Sequence, residues 1–181
     1  MGSQFALASN HSPNLSSSTT KKVYLYRIDA SSIEGYVFPQ TYQRPDGIEI
    51  LRRSAEVAVV PYSEVRAVYF VKDFNGPPYE SEKRVFGSRP KLDGLWVRLT
   101  FTNDEVFEGV IPNDLLLMGM HGVTITPPDA TSNTQRIFVP RQSLKVLKIL
   151  SVIGSPIHRR RSRGKTTSRD QIELFEGSVS G

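Results

Sequence analysis

The sequence predicts an all-β protein: two tandem five-stranded small barrels flanked by disordered termini. Three observations carry that expectation. Apolar residues alternate with polar ones along much of the chain, the two-residue period of a strand with one buried face. A stretch of about fifty residues occurs twice, as a duplicated structural unit would. Both copies carry the same punctuation, a glycine inside the second apolar run and a proline closing the fourth.

The first copy runs from Val23, Leu25, Gly35 and Val37 through Ile48 and Ile50 to Val59, Val60, Pro61, Val65 and Val68. The second runs from Val97, Leu99, Gly109 and Ile111 through Val123 and Ile125 to Phe138, Val139, Pro140, Leu144 and Leu147. The glycines are offset by 74 residues and the prolines by 79, so five extra residues fall between the apolar runs of the second copy. Loops absorb length in this way; a strand cannot, because a one-residue slip turns all its side chains to the other face.

In chain order, residues 1–21 form a leader rich in Ser, Thr, Asn and Pro, with too little apolar surface to offset chain entropy. The first barrel is assigned to 22–71. Val23 and Leu25 point to one side of its opening strand, with Tyr24 and Tyr26 on the other. Gly35 marks a bulge or sharp bend in the second strand. Ile48–Leu51, Val57–Val60 and Val65–Val71 supply the remaining strands. The Pro61-Tyr62-Ser63-Glu64 connection reads as one 3₁₀-like turn that redirects the chain. Residues 72–94 form a Gly- and Pro-rich connector, with Phe74, Tyr79 and Phe86 placed to pin it to the barrels. The second barrel takes 95–153, with strands at Leu95–Phe101, Val106–Ile111, Val123–Thr126, Arg136–Val139 and Leu144–Val152. The pattern then stops, and 154–181 is a basic tail.

Charge divides unevenly. Of 23 basic and 18 acidic residues, 15 of each lie in residues 23–154, so the body is neutral and the formal net charge of +5 belongs to the ends. That weakens any expectation of a folded surface shaped for a polyanion. The absence of cysteine excludes disulfides, thiolate catalysis and cysteine-ligated metal, and fits a reducing compartment. Phe5-Ala6-Leu7-Ala8 is too short for a signal segment or a membrane span. A cytoplasmic protein is expected.

Five short strands, a glycine-bent second strand and a 3₁₀ turn between the last two resemble a small Sm-like or SH3-like barrel, here duplicated. The pairing of residues 60–74 (Val-Pro-Tyr-Ser-Glu-Val-Arg-Ala-Val-Tyr-Phe-Val-Lys-Asp-Phe) with residues 136–144 (Arg-Ile-Phe-Val-Pro-Arg-Gln-Ser-Leu) also resembles an uncharacterised bacterial domain family of paired repeats, over roughly 22–152. That resemblance implies a fold and no chemistry. Sm-like RNA binders hold bases with an Asp-x-apolar-Asn motif after the second strand and an Arg-Gly or Lys-His pair near the turn between the fourth and fifth. The corresponding stretches here are Phe38-Pro39-Gln40-Thr41-Tyr42 and Pro112-Asn113-Asp114-Leu115-Leu116, and the turns read Pro-Tyr-Ser-Glu and Pro-Arg-Gln-Ser. Neither motif is present.

No convergent catalytic set is visible. His11, His121 and His158 are scattered over leader, loop and tail, and Asp104, Glu105 and Glu108 read as solvated hairpin acids. No enzyme activity, cofactor or metal is expected, and no phosphate-cradling glycine loop appears. Two stretches remain. Leu115, Leu116, Leu117, Met118 and Met120 make an apolar loop after the second strand of the second copy, which either closes the barrel end or docks a protein partner. Arg159, Arg160, Arg161, Arg163 and Lys165 place five cations in seven residues, enough to neutralise several phosphates. Tyr24, Tyr26 and Trp96 are read as packing aromatics rather than base-stacking ones. The expected function is a non-catalytic binding or adaptor module acting through protein–protein contact, with nucleic-acid binding through the tail as the alternative. The partner and the oligomeric state stay open.

Overall fold

The computed structural model describes residues 20–76, 81–114, 119–129 and 131–154. Residues 1–19 of the leader, Tyr79, Leu115–Met118 and residues 155–181 of the basic tail lie outside the described residues, while Lys21, assigned to the leader, opens the first strand. The chain is all-β. The described residues form ten strands, β1 (Lys21–Arg27), β2 (Ser32–Val37), β3 (Gly47–Arg52), β4 (Val57–Pro61), β5 (Val65–Val71), β6 (Gly94–Phe101), β7 (Val106–Ile111), β8 (Gly122–Ile125), β9 (Thr134–Pro140) and β10 (Leu144–Ile153).

The alternation in the sequence is the alternation in space. On β1, Val23 and Leu25 are wholly buried in one core, while Tyr24 and Tyr26 turn to the other side and pack against a second. Three hairpins, β1–β2, β3–β4 and β6–β7, turn in the same way. Each places one residue in the left-handed region: Ala30 (φ 66°), Ala55 (φ 65°) and Asp104 (φ 63°). In each, that residue donates back to the last strand residue, Arg27, Arg52 or Phe101, which in turn donates to the carbonyl of Ser31, Glu56 or Glu105. This is a short turn closed by a left-handed residue, the geometry of three-residue hairpin loops.

The two glycines sit where two strands come too close for a side chain. A Cβ on Gly35 would lie 2.4 Å from the Leu51 carbonyl oxygen, and one on Gly109 would lie 2.8 Å from the Ile125 side chain. The two turns after the prolines also match. The Val65 N–H donates to the Tyr62 carbonyl at 3.3 Å, and Leu144 donates to Arg141 across the single 3₁₀ turn Arg141–Ser143.

The sheets do not divide as the repeats do. Instead of five strands and five, one sheet has seven, in the order β4-β3-β2-β1-β5-β9-β8, and the other three, β10-β6-β7. Neither closes into a barrel. Two local events cause this. Past Gly109, the pairing of β7 with the chain after β8 shrinks to one bridge, Val110 with Thr126, held by two hydrogen bonds of 2.9 and 2.8 Å. Meanwhile β9, from the second copy, pairs antiparallel with β5 of the first, setting Val68 opposite Phe138 and Phe70 opposite Arg136. Counting the bridge, all ten strands follow one another as β4-β3-β2-β1-β5-β9-β8-β7-β6-β10.

The junction strands serve both cores. Val65 and Val68 of β5 enter the first core with Ile48 and Ile50, whereas Ala67, Tyr69 and Val71 enter the second with Val97 and Leu99. On β9, Ile137 and Val139 belong to the second core, but Phe138 is buried in the first.

Candidate protein interface

A strand at the end of such a series offers unpaired backbone N–H and C=O groups, and its side chains decide what becomes of them. Here the two ends are β4 and β10. Outward-facing residues of natural edge strands are commonly charged or broken by proline. On β4 the exposed residues are Val57 and Val59, at 61% and 43%, and the closing Pro61; on β10 Lys145 and Lys148 alternate with Val146, Ile149 and Val152, which are 49%, 50% and 47% exposed, so apolar side chains share both edges with the usual guards. β10 is also the longest strand, ten residues, bent by irregularities in its pairing with β6 after Leu144 and after Ile149. Arg89 of the connector donates to the Val152 carbonyl at 3.1 Å and covers the far end. Beside the near end runs a groove of about 240 Å³ lined by Gly122, Val123, Arg141, Leu144 and Val146. Lys145 is held by Asp104 at 2.7 Å.

The other groups singled out from the sequence have structural employment. Tyr24 donates to the Phe74 carbonyl, and Tyr24 and Tyr36 each meet the Phe74 ring edge-on, at 5.7 and 5.5 Å. Lys22 and Arg53 lie over the same ring. Tyr26 packs edge-on against Tyr69, and Trp96 against Phe86. Glu108 is the correction among the acids. It is not a solvated turn residue but a β7 side chain only 2% exposed. Its two oxygens accept from Arg98 (3.0 and 2.7 Å), from the Trp96 indole (3.1 Å) and from the Phe86 backbone N–H (3.1 Å). Burial pushes its pKa up, but these donors outweigh burial and hold the carboxyl below its ordinary value. This fixes the connector to the β6–β7 sheet. Residue spacing could have found it: Glu108 faces Arg98 directly across the hairpin.

Where the two copies meet, Tyr42 is buried against Phe70 and Phe138, its hydroxyl accepting from Gln43 at 3.0 Å. Burial, opposed by hydrogen bonds with Gln43 and Thr124, pushes its pKa up to about 12. His121 stacks on Tyr62 at 4.7 Å, a contact between the copies. Arg66 pairs with Glu105 across the same junction.

Of the apolar loop proposed as an interface, only Met120 is among the described residues, and it is 84% exposed. Leu115, Leu116, Leu117 and Met118, and the cations Arg159, Arg160, Arg161, Arg163 and Lys165, lie outside them. Among the described residues, no three His, Asp or Glu side chains gather as metal ligands would, and no helix is long and apolar enough to cross a membrane. The exposed edges were the feature that sequence reasoning missed. Val57 and Val146 look like any strand residues until the pairing order shows which strands come last.

Comparison with curated proteins and with solved structures finds no match. Residues 19–151, nearly the whole of the two copies, match the family of unknown function DUF6982, and the chain belongs to that family.

Proposed function

We propose that the chain is a non-catalytic binding module that acts through protein–protein contact, and that its contact surface is the pair of open strand edges, β4 and β10. One observation carries the reading: both ends of the strand series present exposed β-branched side chains, valine on β4 and valine with isoleucine on β10, on a strand paired along one edge alone. Such an edge accepts an added strand, with main-chain hydrogen bonds giving affinity and alternate side chains giving selectivity. In this reading each copy is a curled, Sm-like or SH3-like sheet in its own right. The orders β4-β3-β2-β1-β5 and β9-β8-β7-β6-β10 support that, being one arrangement written twice.

The basic run Arg159–Lys165 supports a second reading, nucleic-acid binding through the tail. One experiment separates the two. The chain and a form lacking residues 155–181 are used as bait in host lysate and titrated against single-stranded RNA and DNA at about 50 and 200 mM salt, the range over which phosphate contacts lose most affinity. The protein-contact reading expects the shortened chain to keep its partner and Val57→Lys or Ile149→Lys to lose it. A partner that leaves with the tail, or tight nucleic-acid binding that disappears at the higher salt, overturns it.

A further inference from the structure

We infer that the partner at these edges is a second copy of this chain, its β4 adding antiparallel to the free edge of β10, so that copies join head to tail. This rests on the reading that the edges are the contact surface, and it names their occupant.

The duplication supplies the template. The offset of 79 residues that carries Pro61 onto Pro140 also carries β4 onto β9 and β5 onto β10, and the turn hydrogen bond Val65 to Tyr62 onto Leu144 to Arg141. Within the chain, the last strand of the first copy (β5) pairs with the fourth strand of the second (β9). The strands left with one open edge are the last strand of the second copy and the fourth of the first. The middle of the molecule therefore contains a built example of the contact that its two ends are equipped to make.

The template fixes a register. Carried over by the same offset, Val68 opposite Phe138 becomes Leu147 opposite Val59, Tyr69 opposite Ile137 becomes Lys148 opposite Ala58, and Phe70 opposite Arg136 becomes Ile149 opposite Val57. Burial falls where the neighbour is missing. Phe138 is 1% exposed, but its counterpart Val59 is 43% exposed. In the joined pair the exposed Ile149 and Val57 meet each other, and Lys148 faces Ala58, the smallest side chain of β4. Unlike surfaces joined this way leave a free edge at each end of the pair, so addition continues to a closed ring or an open fibre according to the rotation per copy.

The test is the mass of the full chain by sedimentation across a wide concentration range, alone and as variants at exposed positions. The intact chain is expected above monomer mass. Val57→Lys and Ile149→Lys are each expected to be monomeric with an unchanged melting temperature. Mixed, they are expected to stop at the dimer, because the intact β10 of one meets the intact β4 of the other and the remaining edges set lysine against lysine. The chain has no cysteine, so Val57→Cys combined with Ile149→Cys, exposed to a mild thiol oxidant that takes up the two electrons per bond, is expected to give a ladder of disulfide-linked multimers. A chain that stays monomeric at every concentration and gives no ladder overturns the inference. So does assembly that survives both lysine variants. If the chain alone is monomeric but those variants still abolish capture of a different protein, self-assembly falls and the edge reading stands; if capture is also indifferent to them, both fall.

Discussion

Glu108 shows how a charge can be put to structural use on a small sheet. Its carboxylate is almost fully buried, and its contacts tie two other pieces of chain to β7: β6 through Arg98 and Trp96, and the connector through Phe86. Glu108→Gln removes the charge, leaves Arg98 only a neutral amide oxygen to donate to, and sets an NH2 where the second carboxylate oxygen accepted, at an expected cost of about 1–3 kcal/mol at neutral pH. Because the folded pKa lies below the ordinary 4.5, this advantage is fully present above that pH and fades as the pH falls through the lower folded value. Urea melts of both proteins from neutral pH downward should show two curves converging in acid; a constant gap would mean the carboxylate's charge contributes nothing. At this scale the sequence is only partly legible. Gly35 and Gly109 announce themselves, since no other residue fits beneath Leu51 and Ile125. Ala30 and Ala55 do not, because alanine in the left-handed region carries none of the usual turn signals of glycine or asparagine. Glu108 is hidden for a similar reason: its nearness to Asp104 suggests a turn, whereas its place within Val106–Ile111 puts it on a covered strand.

Among the elements, β9 has the most consequential placement. Its period-two pattern identifies it as a strand, and its pairing with β8 through Val123–Val139 is what a repeat predicts. Its second partner, β5, could not be read from local pattern. Pairing depends on which edges the rest of the fold leaves open, and Val68 and Phe138 are about 70 residues apart in sequence. The result is that Phe138, encoded in the second copy, completes the first core beside Tyr42, with ring centres 5.7 Å apart. Phe138→Ala is expected to cost about 3–5 kcal/mol, as for a large buried aromatic. A double-mutant cycle with Tyr42→Ala should show coupling of about 0.5–1.5 kcal/mol. Additive losses would place Phe138 outside the first core.

For the molecule as a whole, cores that share β5 and β9 should lose their structure together. Trp96, the single tryptophan, lies on β6 of the second copy. Far-UV circular dichroism samples both copies. The two signals should follow one coincident thermal transition, the mark of two-state unfolding; two separated midpoints would mean that the copies are independent. The same sharing has a consequence for how the chain is made. Strands β1 to β5 emerge from the ribosome well before β9, so the first half waits with Phe138's place in its core unfilled and one edge of β5 unmet. During that wait, nearness alone favours the chain's own β9 over the β9 of an older chain on the same messenger. Synthesis at high density is thus the circumstance in which copies are most apt to trade strands.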